Sequence, residues 1–229
     1  MIVLGHRGAP SLAHENTIES FVLALKNSVD GLEFDIQQTK DYQLITHHDP
    51  YIVYQNKKHI ISNLLLSEIK NMQLSYNIPI LDEVLALCPP NKIINIEIKT
   101  RDIINTELIN NLIGNINKYK LNESVIISSF NPFLIIELKK RNPNIKVGQL
   151  WCLDKQEPWY VTHTTKDLLS PYSFHANVDH INKDMSDWAR SQGMKIYLYT
   201  VNTSIQLNKA HKVGADGIFT DYPKILQER

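Results

Sequence analysis

Cysteine is almost missing from this chain: Cys88 and Cys152 are the only two among 229 residues. They match no spaced thiol motif, which excludes a disulfide framework or a thiolate metal site and leaves two reduced, packed thiols as the expectation. An excess of either charge is missing too. Lys plus Arg number 24 and so do Asp plus Glu, so no summed positive field draws the chain to nucleic acid or to an anionic membrane surface. The chain opens Met1-Ile2-Val3-Leu4-Gly5-His6 with neither a basic leader nor a long apolar run, so the expectation is a cytoplasmic protein without stable membrane insertion. Linker, low-complexity tract and internal repeat are likewise lacking. With 43% apolar residues, the length suits one large core, and 1–229 is read as a single domain.

What the chain does have is alternation. Short β-rich runs at 2–5, 31–37, 43–47, 93–98, 124–129, 146–151, 173–177, 195–200 and 216–220 are separated by segments of helical period, the pattern of a parallel sheet with helical crossovers. After Asn16, the residues Ile18, Phe21, Val22 and Leu25 share a helix face, with Asn16 as expected N-cap and Glu19 at the capping-box position. Asn131-Pro132 marks another helix start, Leu108, Ile109, Leu112, Ile113 and Ile116 mark another buried stripe, and Gly193 and Gly214 mark helix ends. Nine strands are one too many for an eight-stranded α/β barrel, and Thr39 to Tyr42 is too short to hold a crossover helix. Pairing 31–37 with 43–47 as a β-hairpin excursion after the second strand resolves both, and the expected fold is a single (β/α)8 TIM barrel. An open doubly wound sheet is the alternative.

Two of the runs carry polar side chains on alternate positions. Leu32, Phe34 and Ile36 face one way and Glu33, Asp35 and Gln37 the other; Ile94, Ile96 and Ile98 stand opposite Asn95, Glu97 and Lys99. If helices cover the apolar rows, the polar rows face the barrel interior, where charges persist only when paired or bound to metal. Three converging carboxylates repel one another, and a hard divalent cation, Mg2+ or Ca2+, is the expected remedy. His6 and His48 end neighbouring runs and bring two proton carriers to the same place. The residues alone leave plainer readings open: Glu97 with Lys99 as an ordinary strand ion pair, Glu33 and Asp35 as a solvated edge beside Arg7, and His6 as a core histidine. They also leave His47 and His48 undecided, since adjacent side chains point to opposite faces.

The ordered set His6-Arg7-Gly8-Ala9, Glu15-Asn16-Thr17, Gly31, Glu33-x-Asp35, Thr39-Lys40-Asp41 and His48-Asp49 resembles the signature of the glycerophosphodiester phosphodiesterases. Ile78-Pro79, Asn95-Ile96-Glu97-Ile98-Lys99, Ser128-Ser129-Phe130, Thr200-Val201-Asn202 and Asp216-Gly217-Ile218-Phe219-Thr220-Asp221-Tyr222-Pro223 continue it in the family's order. The resemblance implies a triosephosphate isomerase-type barrel that hydrolyses small glycerophosphodiesters, such as glycerophosphocholine or glycerophosphoethanolamine, to glycerol 3-phosphate and an alcohol. By the same resemblance His48 is catalytic and His47 is not, His6 is its partner, Glu33, Asp35 and Glu97 hold the metal, and Arg7 and Lys99 neutralise the phosphate. Phe130 and Tyr199 are expected in the substrate pocket. The resemblance also implies attack by the substrate's own glycerol hydroxyl to give a cyclic phosphate that water opens, though nothing in the residues requires it.

Departures from the family pattern bear on the substrate. His14 stands where proline is common, Tyr42 where a turn glycine is usual, and Tyr199 where tryptophan often precedes Thr-Val-Asn. Tyr51 to His59 lacks the usual Arg-Thr-Thr and is expected as a loop bordering the leaving-group side. With only about 45 residues between His48 and the strand at 93, any inserted lid is small. Trp151, Trp159 and Tyr160 are candidates to cage a choline ammonium. Two alternatives follow: a lysophospholipase D or sphingomyelinase D-like enzyme acting on single-chain lipids, and a barrel that binds phosphorylated ligands without catalysis.

Overall fold

The computed structural model describes residues 1–100, 102–151 and 170–224. All nine expected runs form strands, and two more appear where a loop was expected: β1 (Ile2–His6), β2 (Gly31–Gln38), β3 (Leu44–Thr46), β4 (Tyr51–Tyr54), β5 (Lys57–Ile60), β6 (Ile93–Ile98), β7 (Val125–Ser129), β8 (Lys146–Trp151), β9 (Ser173–Asn177), β10 (Lys195–Tyr199) and β11 (Gly217–Thr220). Eight of them run parallel in the order β1-β2-β6-β7-β8-β9-β10-β11. Because β1 pairs with both β2 and β11, the sheet closes into a TIM barrel. The open-sheet alternative is thereby removed. β3 lies antiparallel on β2, with Ile36 opposite Thr46 and Gln38 opposite Leu44, which is the expected hairpin excursion.

The helices among the described residues are α1 (Ile18–Lys26), α2 (Leu66–Asn71), α3 (Leu81–Leu87), α4 (Thr106–Lys118), α5 (Pro132–Arg141), α6 (Lys183–Ser191) and α7 (Ser204–Lys212). None of the described helices is long and apolar enough to cross a membrane. Asn131 caps α5 by accepting from the N–H groups of Phe133 and Leu134, with Pro132 in the first turn, as its sequence indicates. The start of α1 differs from expectation. Thr17, not Asn16, is the N-cap, accepting from the N–H of Ser20, so Glu19 is not in a capping box. Asn16 instead takes a left-handed φ of 56° and turns its amide onto Asp35, a conformation asparagine tolerates better than most residues.

Strand alternation divides the core in two. Val3, Leu32, Phe34, Ile36, Ile94, Ile96 and Ile98 point outward into the shell packed by the helices, while Leu4, Ile126, Tyr197 and Phe219 fill the barrel interior. A third small core, Ile45, Ile52, Ile61, Ile69 and Ile78, sits under the β4–β5 hairpin and α2. The short insertion therefore has a core of its own. Cys88 is a free, buried thiol whose pKa burial pushes up to about 12. Cys152, Trp159 and Tyr160 lie outside the described residues.

One titratable side chain of the barrel interior has no charged partner among the described residues. His175 of β9 is completely buried against Tyr197 and Phe219, with Nε2 at 2.7 Å from the Ser173 hydroxyl. Gly148 makes room for it, since a Cβ there would lie 2.4 Å from the imidazole. Burial lowers the His175 pKa from 6.5 to about 3, so the fold holds the ring neutral while the unfolded chain protonates it. That contribution to stability is complete above pH 6.5 and is lost as pH falls toward about 3, up to a few kcal/mol on the order set by ~1.4 kcal/mol per pKa unit. The expected outcome is that His175→Gln flattens the fall in unfolding free energy between pH 6.5 and 4, measured by denaturant titration; equal slopes in the two proteins contradict it.

Candidate active site

Parallel register assembles the site at the carboxyl ends of the strands. On the interior face, His6 of β1 stands beside Glu33 of β2, and Asp35 of β2 stands beside Glu97 of β6. Carboxylate oxygens of Glu33, Asp35 and Glu97 all lie within 4.8 Å of one another, a grouping that could hold a metal ion. Glu33 and Asp35 are buried and Glu97 nearly so, which discounts the solvated-edge reading.

The cations come from the ends of β1 and β6. Arg7 has a left-handed φ of 53°, and this places its N–H on Glu33 Oε2 at 2.9 Å while its carbonyl accepts from the Ser20 hydroxyl and the Asn16 N–H. Its guanidinium reaches Glu15 at 2.9 Å and Asp35 at 3.3 Å. Gly8 follows at φ 90°, where a Cβ would press on Ser20 at the start of α1, so only glycine lets the helix come this close. Lys99 Nζ lies 3.3 Å from Asp35 and pairs with Glu97. The strand ion pair is therefore real, and it is part of the site.

The β2–β3 hairpin returns the chain to deliver His48. Asp35 O accepts from the His47 N–H at 3.1 Å, and Gln37 Nε2 donates to His48 O at 3.0 Å. His48 lines the central cavity with Nδ1 at 2.8 Å from Asp49, whereas His47 turns its Nε2 to the Tyr51 carbonyl. Of the two adjacent histidines, the geometry brings His48 and not His47 to the cavity. Phe130 and Tyr199 line the same cavity, and the Tyr199 hydroxyl donates to Trp151 O at 2.7 Å, presenting its ring to the opening.

Two imidazoles, an Arg, a Lys and a buried acidic triad in one barrel mouth form the expected constellation, and a model of the Glycerophosphoryl diester phosphodiesterase family matches residues 6–225. The chain belongs to this family. It is 32% identical to the glycerophosphodiester phosphodiesterase of Caldanaerobacter subterraneus subsp. tengcongensis over 98% of this chain and 96% of that protein. The crystal structure of the glycerophosphodiester phosphodiesterase of Thermotoga maritima is similar with a TM-score of 0.82 and 26% identity, covering 100% of this chain and 97% of that one. An Oleispira antarctica phosphodiesterase in complex with the product sn-glycerol-3-phosphate is similar with a TM-score of 0.86 and 23% identity, over 99% of this chain and 95% of that one. This member of the glycerophosphoryl diester phosphodiesterase family is a phosphoric diester hydrolase.

Sequence reasoning overlooked four polar residues that hold this family member's site together. Glu15 braces Arg7, Asn16 donates to Asp35 Oδ2 at 2.9 Å, Asp221 meets His6 Nδ1 at 2.7 Å, and Asn202 donates to Asp221. All four stand inside the quoted motifs, so the signal was present without a role attached.

The charges are unevenly shared. Burial favours the neutral acid at Asp35, but Lys99 and then Arg7 outweigh it and hold its pKa well below the usual carboxylate range. Glu33 has no such surplus. Burial, then the charge of Asp35, pushes its pKa up to about 8, with His6 opposing only in part. His6 is desolvated too, yet the bond to Asp221 and the charge of Glu33 raise its pKa overall; His48 is lowered, by burial first and then by Lys99. A carboxyl with raised pKa contributes stability below its unfolded value near 4.5 and loses it as pH climbs through about 8. In chelator, Glu33→Gln is accordingly expected to melt at a higher temperature than wild type at pH 8.5, with the gap closing at pH 5. A gap of the same size at both pH values contradicts this account.

Proposed function

We propose that this chain hydrolyses glycerophosphodiesters such as glycerophosphocholine to glycerol 3-phosphate and an alcohol. His6 and His48 carry the protons, Arg7 and Lys99 neutralise phosphate oxygens, and Glu33, Asp35 and Glu97 hold a divalent cation, Mg2+ or Ca2+. The observation that carries this reading is that His6, Arg7, Glu33, His48, Glu97 and Lys99 all line a single cavity of about 240 Å3. A phosphodiester is an anion with a poor alkoxide leaving group, so its hydrolysis requires charge neutralisation and proton delivery to the departing oxygen. Both are present within that volume. The product bound by the Oleispira antarctica relative supports the choice of glycerol 3-phosphate.

The donor set suits a hard cation. It is all oxygen, it converges, and burial together with the charge of Asp35 opposes ionisation of Glu33 more than His6 and Arg7 favour it. When bound there, a divalent ion would add to the neutralisation of phosphate charge. The protein's own groups do the rest. His6 and His48 each present a ring to the cavity with Nδ1 on a carboxylate, Asp221 and Asp49 respectively, which leaves each Nε2 to take or give a proton. Phe130 and Tyr199 wall the cavity with aromatic surface.

Incubating the purified protein with glycerophosphocholine and Mg2+ or Ca2+ is expected to release glycerol 3-phosphate, and chelator is expected to suppress the release. His6→Ala and His48→Ala are each expected to lower kcat on the order of 10²-fold or more. Near wild-type turnover by His48→Ala would remove the two-histidine scheme.

One observation favours a second reading, a lysophospholipase D-like activity on single-chain lipids. Two large apolar side chains near Phe130 in sequence or contact are open to solvent: Ile103 is 69% and Phe133 56% exposed, and the Asn131 side chain ties the loop that carries Ile103 to the start of α5, which carries Phe133, through Ile103 O. Such side chains can lie along an acyl chain. On this reading the double substitution Ile103→Ser with Phe133→Ser lowers turnover of lysophosphatidylcholine several-fold relative to glycerophosphocholine; equal effects on both substrates exclude it.

A further inference from the structure

We propose that Asp221, braced by Asn202, is the positioning residue for His6: it fixes the hydrogen on Nδ1 and turns Nε2 toward the cavity. The inference rests on the proposed role of His6 as a proton carrier. An ionised carboxylate only accepts hydrogen bonds, so the 2.7 Å contact between Asp221 Oδ1 and His6 Nδ1 places a proton on that nitrogen. Nε2 is then the free position, and it lies on the Glu33 side of the ring, 4.0 Å from Oε2.

Asp221 is itself held through both its side chain and its backbone. Its Oδ2 accepts from Asn202 Nδ2 at 2.5 Å, while the Asp221 N–H donates to Asn202 Oδ1 at 2.9 Å, so the Asn202 amide grips side chain and backbone together. Asn202 is fixed in turn by Gln206 of α7, whose Oε1 accepts from the Asn202 N–H at 2.9 Å. The Asp221 carbonyl accepts from the Ser11 hydroxyl at 2.7 Å, which ties it to the loop after β1. Asp221 follows β11, the strand that closes the barrel on β1, so the catalytic end of the first strand is locked to the last. His48 is held differently. Its carboxylate is Asp49, the next residue in the chain, on the more exposed side of the mouth.

The test compares wild type with Asp221→Asn and Asn202→Ala by 15N NMR of histidine-labelled, metal-loaded protein, with His6 assigned from His6→Gln, and by kinetics on glycerophosphocholine. In wild type, His6 is expected to show a protonated Nδ1 with a strongly deshielded proton. The amide of Asp221→Asn can donate to Nδ1 instead, so that signature is expected to vanish and kcat to fall about 10²-fold with KM within about threefold. Asn202→Ala keeps the carboxylate but removes its brace, and is expected to broaden the signature and lower kcat roughly tenfold. The proposal is overturned if Asp221→Asn keeps the Nδ1 signature, or if either variant loses activity through KM alone. Should Asp221→Asn fail to fold, Asn202→Ala decides: an unchanged signature and kcat overturn the proposal. A wild type that does not hydrolyse the substrate counts against the proposed function instead, and the NMR comparison still decides the role of Asp221.

Discussion

Asp35 is a completely buried carboxylate, and the parts of the site are arranged around the need to compensate it. A single ionised group at such depth is strongly unfavourable unless several partners converge on it. Here they arrive from three segments. Arg7 comes from the end of β1, Asn16 from the turn into α1 and Lys99 from the end of β6, while the His47 N–H of the hairpin return bonds the main-chain carbonyl of Asp35. These contacts bring in neighbours of chemical consequence: His6 precedes Arg7, Glu97 shares a strand face with Lys99, and His48 follows His47. Removing the charge of Asp35 would therefore loosen residues that touch it only through others.

The same constraint accounts for local features that look irregular one at a time. Arg7 and Asn16 both take left-handed backbone conformations, which cost free energy in an isolated chain. Both conformations aim a polar group at the acidic cluster, Arg7 through its N–H to Glu33 and Asn16 through its amide to Asp35. Gly8, between them, lets α1 approach closely enough for the Ser20 hydroxyl to accept from the Ala9 N–H and donate to the Arg7 carbonyl. At Arg7 and Asn16 the strain is thus compensated by hydrogen bonds to the buried acids.

The barrel was legible in the sequence because its signal is repeated: each strand alternates, and each helix carries its own stripe. The charged row of β2 and β6 was legible for the same reason, since Glu33, Asp35, Glu97 and Lys99 fall on the non-isoleucine positions of two strands. Two kinds of information were not. The first concerns groups whose partners are remote, such as Asp221, 215 residues from His6, which no local pattern connects. The second concerns residues with two plausible local uses. Asn16 is a good N-cap by type, yet a buried carboxylate nearby outcompetes a helix end for its amide, and Thr17 takes the cap. The segment Tyr51 to His59, expected as a loop, forms a hairpin whose pairing depends on Ile52 packing with Ile45 and Ile61, a core visible only after folding. Tyr42, in place of the usual glycine, adopts the left-handed φ of 63° that the turn requires, and His14, in place of proline, stacks on Tyr76 with ring centroids 3.5 Å apart.

On the proposed reading, the balance of charge among the protein's own groups calls for a cation. Three carboxylates face two cations, and both cations lean on Asp35: Arg7 at 3.3 Å and Lys99 at 3.3 Å. Glu33 is left with a raised pKa, and a phosphate entering the cavity would ask for the same Arg7 and Lys99 that Asp35 already holds. Arg and Lys alone cannot meet both demands, because each new anion at low effective dielectric adds repulsion of several kcal/mol or more on the scale of ~4 kcal/mol per unit pair at 4 Å. A purely structural ion-pair cluster has no reason to be built one positive charge short. A site that must accept a cation and an anion together does: the three acids with Arg7 and Lys99 sum to minus one, a divalent cation takes the sum to plus one, and a singly charged phosphodiester returns it to zero.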